Sequence, residues 1–439
     1  MIKNVKNQKK HKNVRLKPPP FRTKNASCGM NEYVGMNMEE KTFEERAALC
    51  ALNRIFGFEP KVGAGLVDAV GCALDVFGSP KEAAEILGGR FRSRYAHLIS
   101  ESAFESAAME LEGLEADGCR FVGIGEKGYP ALLMECDDPP LGLYYKGQSN
   151  PLEVFDGLPQ VAVVGTRGVT SYGRDLCRRI VEVMSRSSVK PLVVSGLALG
   201  VDAAAHRAAL ESGLPTVAVM ATGIDKLYPS ANRDVGEAIA STPGCALVTD
   251  YPPGTDAVRI NFLRRNRIIA GICRATILVE SRIKGGGMMT ARLASSYGRD
   301  VYALPGRIDD PLSQGCNLLI RENLAEQIGD LAELVGKLGL GKPRMSLKAD
   351  FKAAVEGYYK GRLPEVDCSD ILKVASLVKT RRGVSVDELS SSLGWTYSRV
   401  SRLVTALECD GFISVDLLQH CVAKTRTPSP GAGDGVYSV

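Results

Sequence analysis

The chain has 439 residues, 45% hydrophobic and 6% aromatic, with 55 Lys and Arg against 50 Asp and Glu. That length and apolar content exclude a disordered, collagen-like or single small-domain protein and predict two to four globular domains. The net charge of +5 resides in residues 1–30, which hold nine Lys or Arg and no acid, so the rest carries 46 basic and 50 acidic residues.

Residues 1–40 open with Lys3, Lys6, Lys9, Lys10, Lys12, Arg15, Lys17, Arg22 and Lys24, broken by Pro18, Pro19 and Pro20. Such a segment has little to bury and is predicted to be a disordered basic tail, a solvated extension rather than a nucleic-acid arm. It lacks the apolar core of a signal peptide, and the chain has no apolar run of membrane-spanning length. The expectation is a cytoplasmic protein with no membrane partner. The 12 cysteines are scattered without a C-x-x-C pair or a Cys/His cluster, so neither a metal site nor a disulfide framework is expected.

From 41 to 112 apolar residues recur at helical spacing (Leu49, Leu52, Ile55, Phe56), with turns at Gly63, Gly65, Gly78-Ser79-Pro80 and Gly88-Gly89. This predicts a small helical domain with a faint likeness to helix-hairpin-helix or sterile-alpha units, and a structural or interaction role.

Residues 113–340 contain six short apolar runs separated by amphipathic segments: 161–164, 192–194, 216–219, 246–248, 276–279 and 301–304. Unalternated strands spaced by helices predict a doubly wound α/β domain with a parallel sheet, its ligand at the carboxyl ends of the strands. Residues 341–367 read as a linker. Three helices, near 369–380, 386–393 and 397–410, then lead into two strand-like runs, which predicts a winged helix over 368–425 packed on Ile371, Leu372, Leu389, Leu393, Val400, Leu403 and Leu407. Residues 426–439 read as a flexible tail.

The chemistry sits in the loops. The first parallel strand ends in Gly165-Thr166-Arg167, where glycine admits a phosphate to backbone N–H groups and arginine adds a forked charge. The second ends in Ser195-Gly196 and reaches Gly200 and Asp202, a further phosphate-facing turn. His206 follows Asp202 by four residues, which fits a structural helix-turn contact better than an acid–base pair. Arg264, Arg265, Asn266 and Arg267, next to Phe262 and with no acid at i±4, suit a polyanion with exposed bases. Lys284-Gly285-Gly286-Gly287 then forms a basic glycine loop opening onto a helix. The Gly165 turn is not a G-x-G-x-x-G and no P-loop G-K-[ST] is present, so no cofactor is expected.

In order along the chain, these blocks resemble the DNA-processing protein A (DprA/Smf) family: Tyr129-Pro130, Asp138-Pro-Pro140, Tyr144 to Gly147, Val164 to Arg167, Ser195 to Asp202 with His206, Gly223-Ile-Asp225 with Tyr228-Pro229, Arg265-Asn266-Arg267, Thr290-Ala291, Leu304-Pro-Gly306 and Gly315-Cys-Asn317. The resemblance implies an extended Rossmann-like domain that binds single-stranded DNA, forms a homodimer, and helps load a RecA-type recombinase in natural transformation, on DNA coated by single-strand-binding protein. It adds Asn317 to the site. Leu199 stands where members commonly have Lys or Arg, Gly285-Gly286-Gly287 where Ser-Gly-Ser is usual, and Leu263 where a proline is usual. Two alternatives remain: a nucleotide phosphoribohydrolase-type enzyme, whose Pro-Gly-Gly opening and first-turn Glu are missing here, and a winged-helix transcription regulator reading duplex DNA through Thr396, Tyr397, Ser398, Arg399 and Arg402.

Overall fold

The computed structural model describes residues 41–341 and 351–423, apart from 382 and 417–418; the expected tails, 1–40 and 426–439, lie outside the described residues. The described residues begin with six α-helices: α1 (Phe43–Phe56), α2 (Pro60–Val70), α3 (Ala73–Gly78), α4 (Pro80–Leu87), α5 (Gly89–Tyr95) and α6 (Glu101–Ala116). Thr42 caps α1 by accepting the Glu45 N–H at 3.3 Å, and Ser100 caps α6 through Ala103. The first helix buries Leu49, Leu52 and Phe56 completely or nearly so.

The main sheet is built from β1 (Cys119–Gly123), β2 (Gly142–Lys146), β3 (Gln160–Val164), β4 (Leu192–Ser195), β5 (Thr216–Val219), β6 (Ala246–Thr249), β7 (Ala275–Leu278), β8 (Asp300–Ala303) and β9 (Glu326–Gln327). Its order is β1-β2-β6-β5-β4-β3-β7-β8-β9. All pairings from β6 across to β9 are parallel; β2 runs antiparallel to β6, and β1 antiparallel to β2. The fold is thus mixed α/β around a large, mostly parallel sheet. Helices connect and flank these strands: α7 (Ala131–Met134), α8 (Pro151–Phe155), α9 (Ser171–Ser185), α10 (Val201–Glu211), α11 (Arg233–Ser241), α12 (Arg259–Ile272), α13 (Gly286–Ser296), α14 (Gln314–Arg321) and α15 (Leu331–Lys337). Side chains of α9, α10 and α15 join Val161, Val163, Val193 and Ile277 in one apolar cluster. Full burial of a residue such as Ile180 there stabilises by about 1.5–3 kcal/mol.

The six parallel runs expected from the sequence form strands within one residue of their predicted positions. Two differences concern the edges. Strands β1 and β2 were not anticipated, and their Phe121 and Tyr144 pack edge to face at 5.1 Å inside the same cluster as Leu49, Leu52 and Phe56 of α1. The helical segment therefore shares a core with the antiparallel edge of the sheet, and α6 runs through the boundary expected at 112/113.

The described chain closes with α16 (Phe351–Tyr359), α17 (Glu365–Arg381), β10 (Val384–Ser385), α18 (Val386–Leu393), α19 (Tyr397–Cys409), β11 (Ile413–Val415) and β12 (His420–Ala423). The three strands pair antiparallel in the order β10-β12-β11. Ser385 and Glu388 form a capping box on α18, and Gly394 ends it in a left-handed conformation. The core contains Ile371, Leu389, Val400, Leu403 and Leu407 as expected, with Leu372 and Leu393 at its margin. The stretch expected as a linker instead carries α16, because Phe351, Val355 and Tyr359 recur every fourth residue and bury against Phe412 and its neighbours. Among the described residues no helix is long and apolar enough to cross a membrane.

Candidate nucleic-acid interface

From β3 the chain proceeds outward through β4, β5 and β6, then returns to place β7 on the opposite flank of β3. Successive connections diverge at this reversal, and the diverging loops leave a crevice at the carboxyl ends of β3 and β7. Here it is a cleft of about 510 Å³, bounded by the loop after β3, the start of α12, and the loop from β7 into α13.

The structure brings Gly165, Thr166, Arg167, Arg265, Asn266, Lys284, Gly285, Gly286 and Gly287 together in its lining. Arg259 and Arg282 join them, as do Tyr228 and Phe262. Arg167, Arg259, Arg282 and Lys284 are exposed, and none makes an ion pair with a described carboxylate. Arg167 lies over the Phe262 ring, 5.0 Å from its centroid, and Phe262 packs against Tyr228 at 5.6 Å. The loop leading to Arg259 is pinned from the β5 side: Asp225 accepts the Gly254 N–H at 2.9 Å, and Lys226 bonds the Gly254 carbonyl and the Asp256 carboxylate, each at 2.7 Å.

Helix termini decide where an anion would be welcome. The start of α9 is already satisfied, because Thr170 accepts the Gly173 N–H and donates to the buried Glu280 carboxylate at 2.5 Å. The Thr166 N–H is likewise taken, by the Glu280 carbonyl at 2.7 Å, and Val201 at the start of α10 donates to the Thr166 carbonyl. By contrast, α12 and α13 begin with no side-chain cap and no acid in the first turn, and both open onto the cleft. Anions at such helix starts gain about 0.3–1 kcal/mol each. The Thr166 N–H is thus engaged within the fold, whereas the Gly286-Gly287 turn opens an uncapped helix onto the cleft.

Several residues predicted to contact the ligand make internal contacts in the fold. Arg267 is buried and ion-paired with Asp250 at 2.6 Å, and it also bonds the Asp138 carbonyl. Arg265 is 3% exposed and donates to the Gly196 carbonyl at 2.6 Å and to the Val219 carbonyl, so it ties the ends of β4 and β5 together at the cleft floor. Burial pulls its pKa down to about 10, against the opposing effect of Asp202. Ser195 is fully buried and donates to the Val163 carbonyl. Gly196 leaves the space that the Arg265 guanidinium fills, and Gly200, at φ +83°, lets the second loop rest on the Thr166 and Arg167 carbonyls. Asn317 exchanges two hydrogen bonds with the Gly306 backbone, fixes the loop after β8, and is not part of the cleft lining. Asp202 accepts the Ala198 N–H, and burial raises its pKa. His206 pairs with Thr216 at 2.7 Å, with no bond to Asp202.

Arg259 was not identified in the sequence, although an arginine opening a helix that lacks a cap is a readable signal. Among the described residues no cluster of three or more His, Cys, Asp or Glu is arranged to hold a metal ion.

The family model for DNA recombination-mediator protein A matches residues 120–339. The DNA processing protein DprA of Streptococcus pneumoniae is 41% identical over 194 residues, which span 44% of this chain and 66% of that protein. Protein Smf of Synechocystis is 38% identical over 229 residues, spanning 52% of this chain and 56% of that one. The aligned stretch thus covers less than two thirds of either relative. The X-ray structure of DNA processing protein A from Streptococcus pneumoniae superposes with a TM-score of 0.54 at 31% identity, covering 68% of this chain and 98% of that one.

Proposed function

Because the chain belongs to the DNA recombination-mediator protein A family, we propose that it binds single-stranded DNA in the cleft between β3 and β7. The observation that carries this reading is the convergence there of four exposed cations without ion-pair partners among the described residues, Arg167, Arg259, Arg282 and Lys284, around the Tyr228–Phe262 aromatic pair. Guanidinium and ammonium groups hold successive phosphates, and the ring faces are accessible only to bases that are not paired. No side chain in the lining forms an array for reading base edges, so binding is independent of sequence. The test is fluorescence anisotropy with oligo-dT, mixed-sequence single strands and the matching duplex. Equal affinity for duplex and single strand would overturn it.

The further steps extend the same reading. A chain that holds single strands at one sheet edge is suited to acting as a homodimer that delivers them to a RecA-type recombinase during natural transformation, including strands covered by single-strand-binding protein. Strand-exchange assays with and without the protein test this. The elements α17, α18, α19 and the β11–β12 hairpin fit a winged helix. Its Arg399 is ion-paired to Asp370 and stacked on Trp395 at 4.5 Å, which favours docking or regulation over duplex reading. The hydrolase alternative has little support, since Asp202, the carboxylate in the cleft lining, is buried and holds backbone.

A further inference from the structure

A strand held at Arg167 has to leave the cleft, and two channels adjoin it. One, of about 470 Å³, passes Leu263, Ile283, Met288 and Met289, with Lys284 and Arg292 beside them, and is predominantly apolar. The other, of about 680 Å³, runs between α9 and α10 and shares Arg167 with the cleft. Its walls carry Arg174, Arg178 and Arg207 with one acid, Glu211, its floor is made of small residues of α10, and the half-exposed Leu199 stands at its mouth. Gly200 keeps the two sites continuous: a side chain there would collide with the Thr166 and Arg167 carbonyls.

We infer that the groove between α9 and α10 is a second DNA subsite, which takes the phosphodiester backbone of the same strand after it passes Arg167. This rests on the assignment of the cleft to single-stranded DNA. Charge favours this channel, since Arg167 and Arg174, in no ion pair with a described carboxylate, both line it, whereas the cations on the Leu263–Met289 side are Lys284, already part of the cleft, and Arg292, ion-paired with Glu322. Arg178 is engaged by Asp175 and Glu182, and Arg207 by Asp234, all on the outer surface. Arg174, exposed and in no ion pair with a described carboxylate, is the strongest attraction for an incoming phosphate. It precedes Arg178 by one helical turn, about 6 Å along α9, so the two guanidinium groups form a row leading away from Arg167. Leu199 offers apolar surface to a sugar or base at the entrance.

The experiment compares a five-nucleotide with a twenty-nucleotide oligo-dT on the full chain and on Arg167→Ala, Arg174→Gln and Arg174→Glu. Arg174→Glu should weaken the long oligonucleotide about tenfold and the short one less than twofold. Arg174→Gln should lower the salt slope of the long oligonucleotide by about 0.7 and leave that of the short one unchanged. Arg167→Ala should weaken both. If Arg167→Ala weakens neither, the cleft assignment fails and the groove falls with it. If Arg167→Ala weakens both while Arg174→Glu weakens neither, or weakens both equally, the groove alone is refuted.

Discussion

The guanidinium of Arg265 fills the space beside Gly196 that a side chain would otherwise occupy, donating to the Gly196 carbonyl at 2.6 Å; a Cβ on Gly196 would come within 2.6 Å of the guanidinium. The loop after β4 thus takes its position from a buried charge on α12. Gly196→Ala should displace Arg265 from its two carbonyls and cost about 2–4 kcal/mol of stability. Urea denaturation measures this, and a variant within about 0.5 kcal/mol of the parent would show that the contact is dispensable.

The buried Arg267–Asp250 pair makes a similar distinction between support and contact. Arg267→Ala leaves a carboxylate unpaired in the interior and should cost about 3–5 kcal/mol. The folded fraction at low temperature should retain the parent's dependence of DNA affinity on salt, because Arg267 is turned away from the cleft. A salt slope reduced by about 0.7 would instead make Arg267 a phosphate contact.

Both residues illustrate what the sequence conceals. Arg264-Arg265-Asn266-Arg267 has no acid within a helical turn, and so reads as an exposed basic face. The partners come from elsewhere: Asp250 lies 17 residues upstream and Asp138 far earlier, and only the fold brings them under α12. The parallel strands were legible because runs such as Thr216–Val219 are apolar on both faces, and the shared cleft because Arg167 and Lys284 follow the strands that flank the reversal. Strands β1 and β2 were missed because Cys-Arg-Phe-Val-Gly and Gly-Leu-Tyr-Tyr-Lys mix polar, small and aromatic residues. That the start of α9 is already occupied was not legible because Glu280, which satisfies it through Thr170, lies 110 residues away.

His206 makes stability depend on pH. Burial holds its folded pKa at about 3, below the usual 6.5, so the unfolded chain binds the proton more readily. Its contribution is complete above about pH 6.5 and is lost as the pH falls from there toward 3, at roughly 1 kcal/mol per unit. Urea midpoints of the parent should therefore fall between pH 7.5 and pH 5 more steeply than those of His206→Gln. Parallel slopes would remove the residue from the account.

Phe262 is both the platform for Arg167 and a candidate stacking surface. Phe262→Leu keeps apolar bulk but removes the ring, and should weaken oligo-dT by about 1–3 kcal/mol with little change in salt slope. Titrations at two ionic strengths separate this from charge loss, which would lower the slope.

The central claim is that single-stranded DNA is held at the strand reversal by Arg167, so the most direct measurement is the affinity of Arg167→Ala for oligo-dT, alongside its thermal unfolding. The residue is exposed and supports no buried group, so the account predicts an unchanged unfolding midpoint and binding weakened about tenfold or more, as expected for the loss of a charge-assisted phosphate contact of about 1.5–3 kcal/mol. A folded Arg167→Ala chain that binds oligo-dT as tightly as the parent would contradict it.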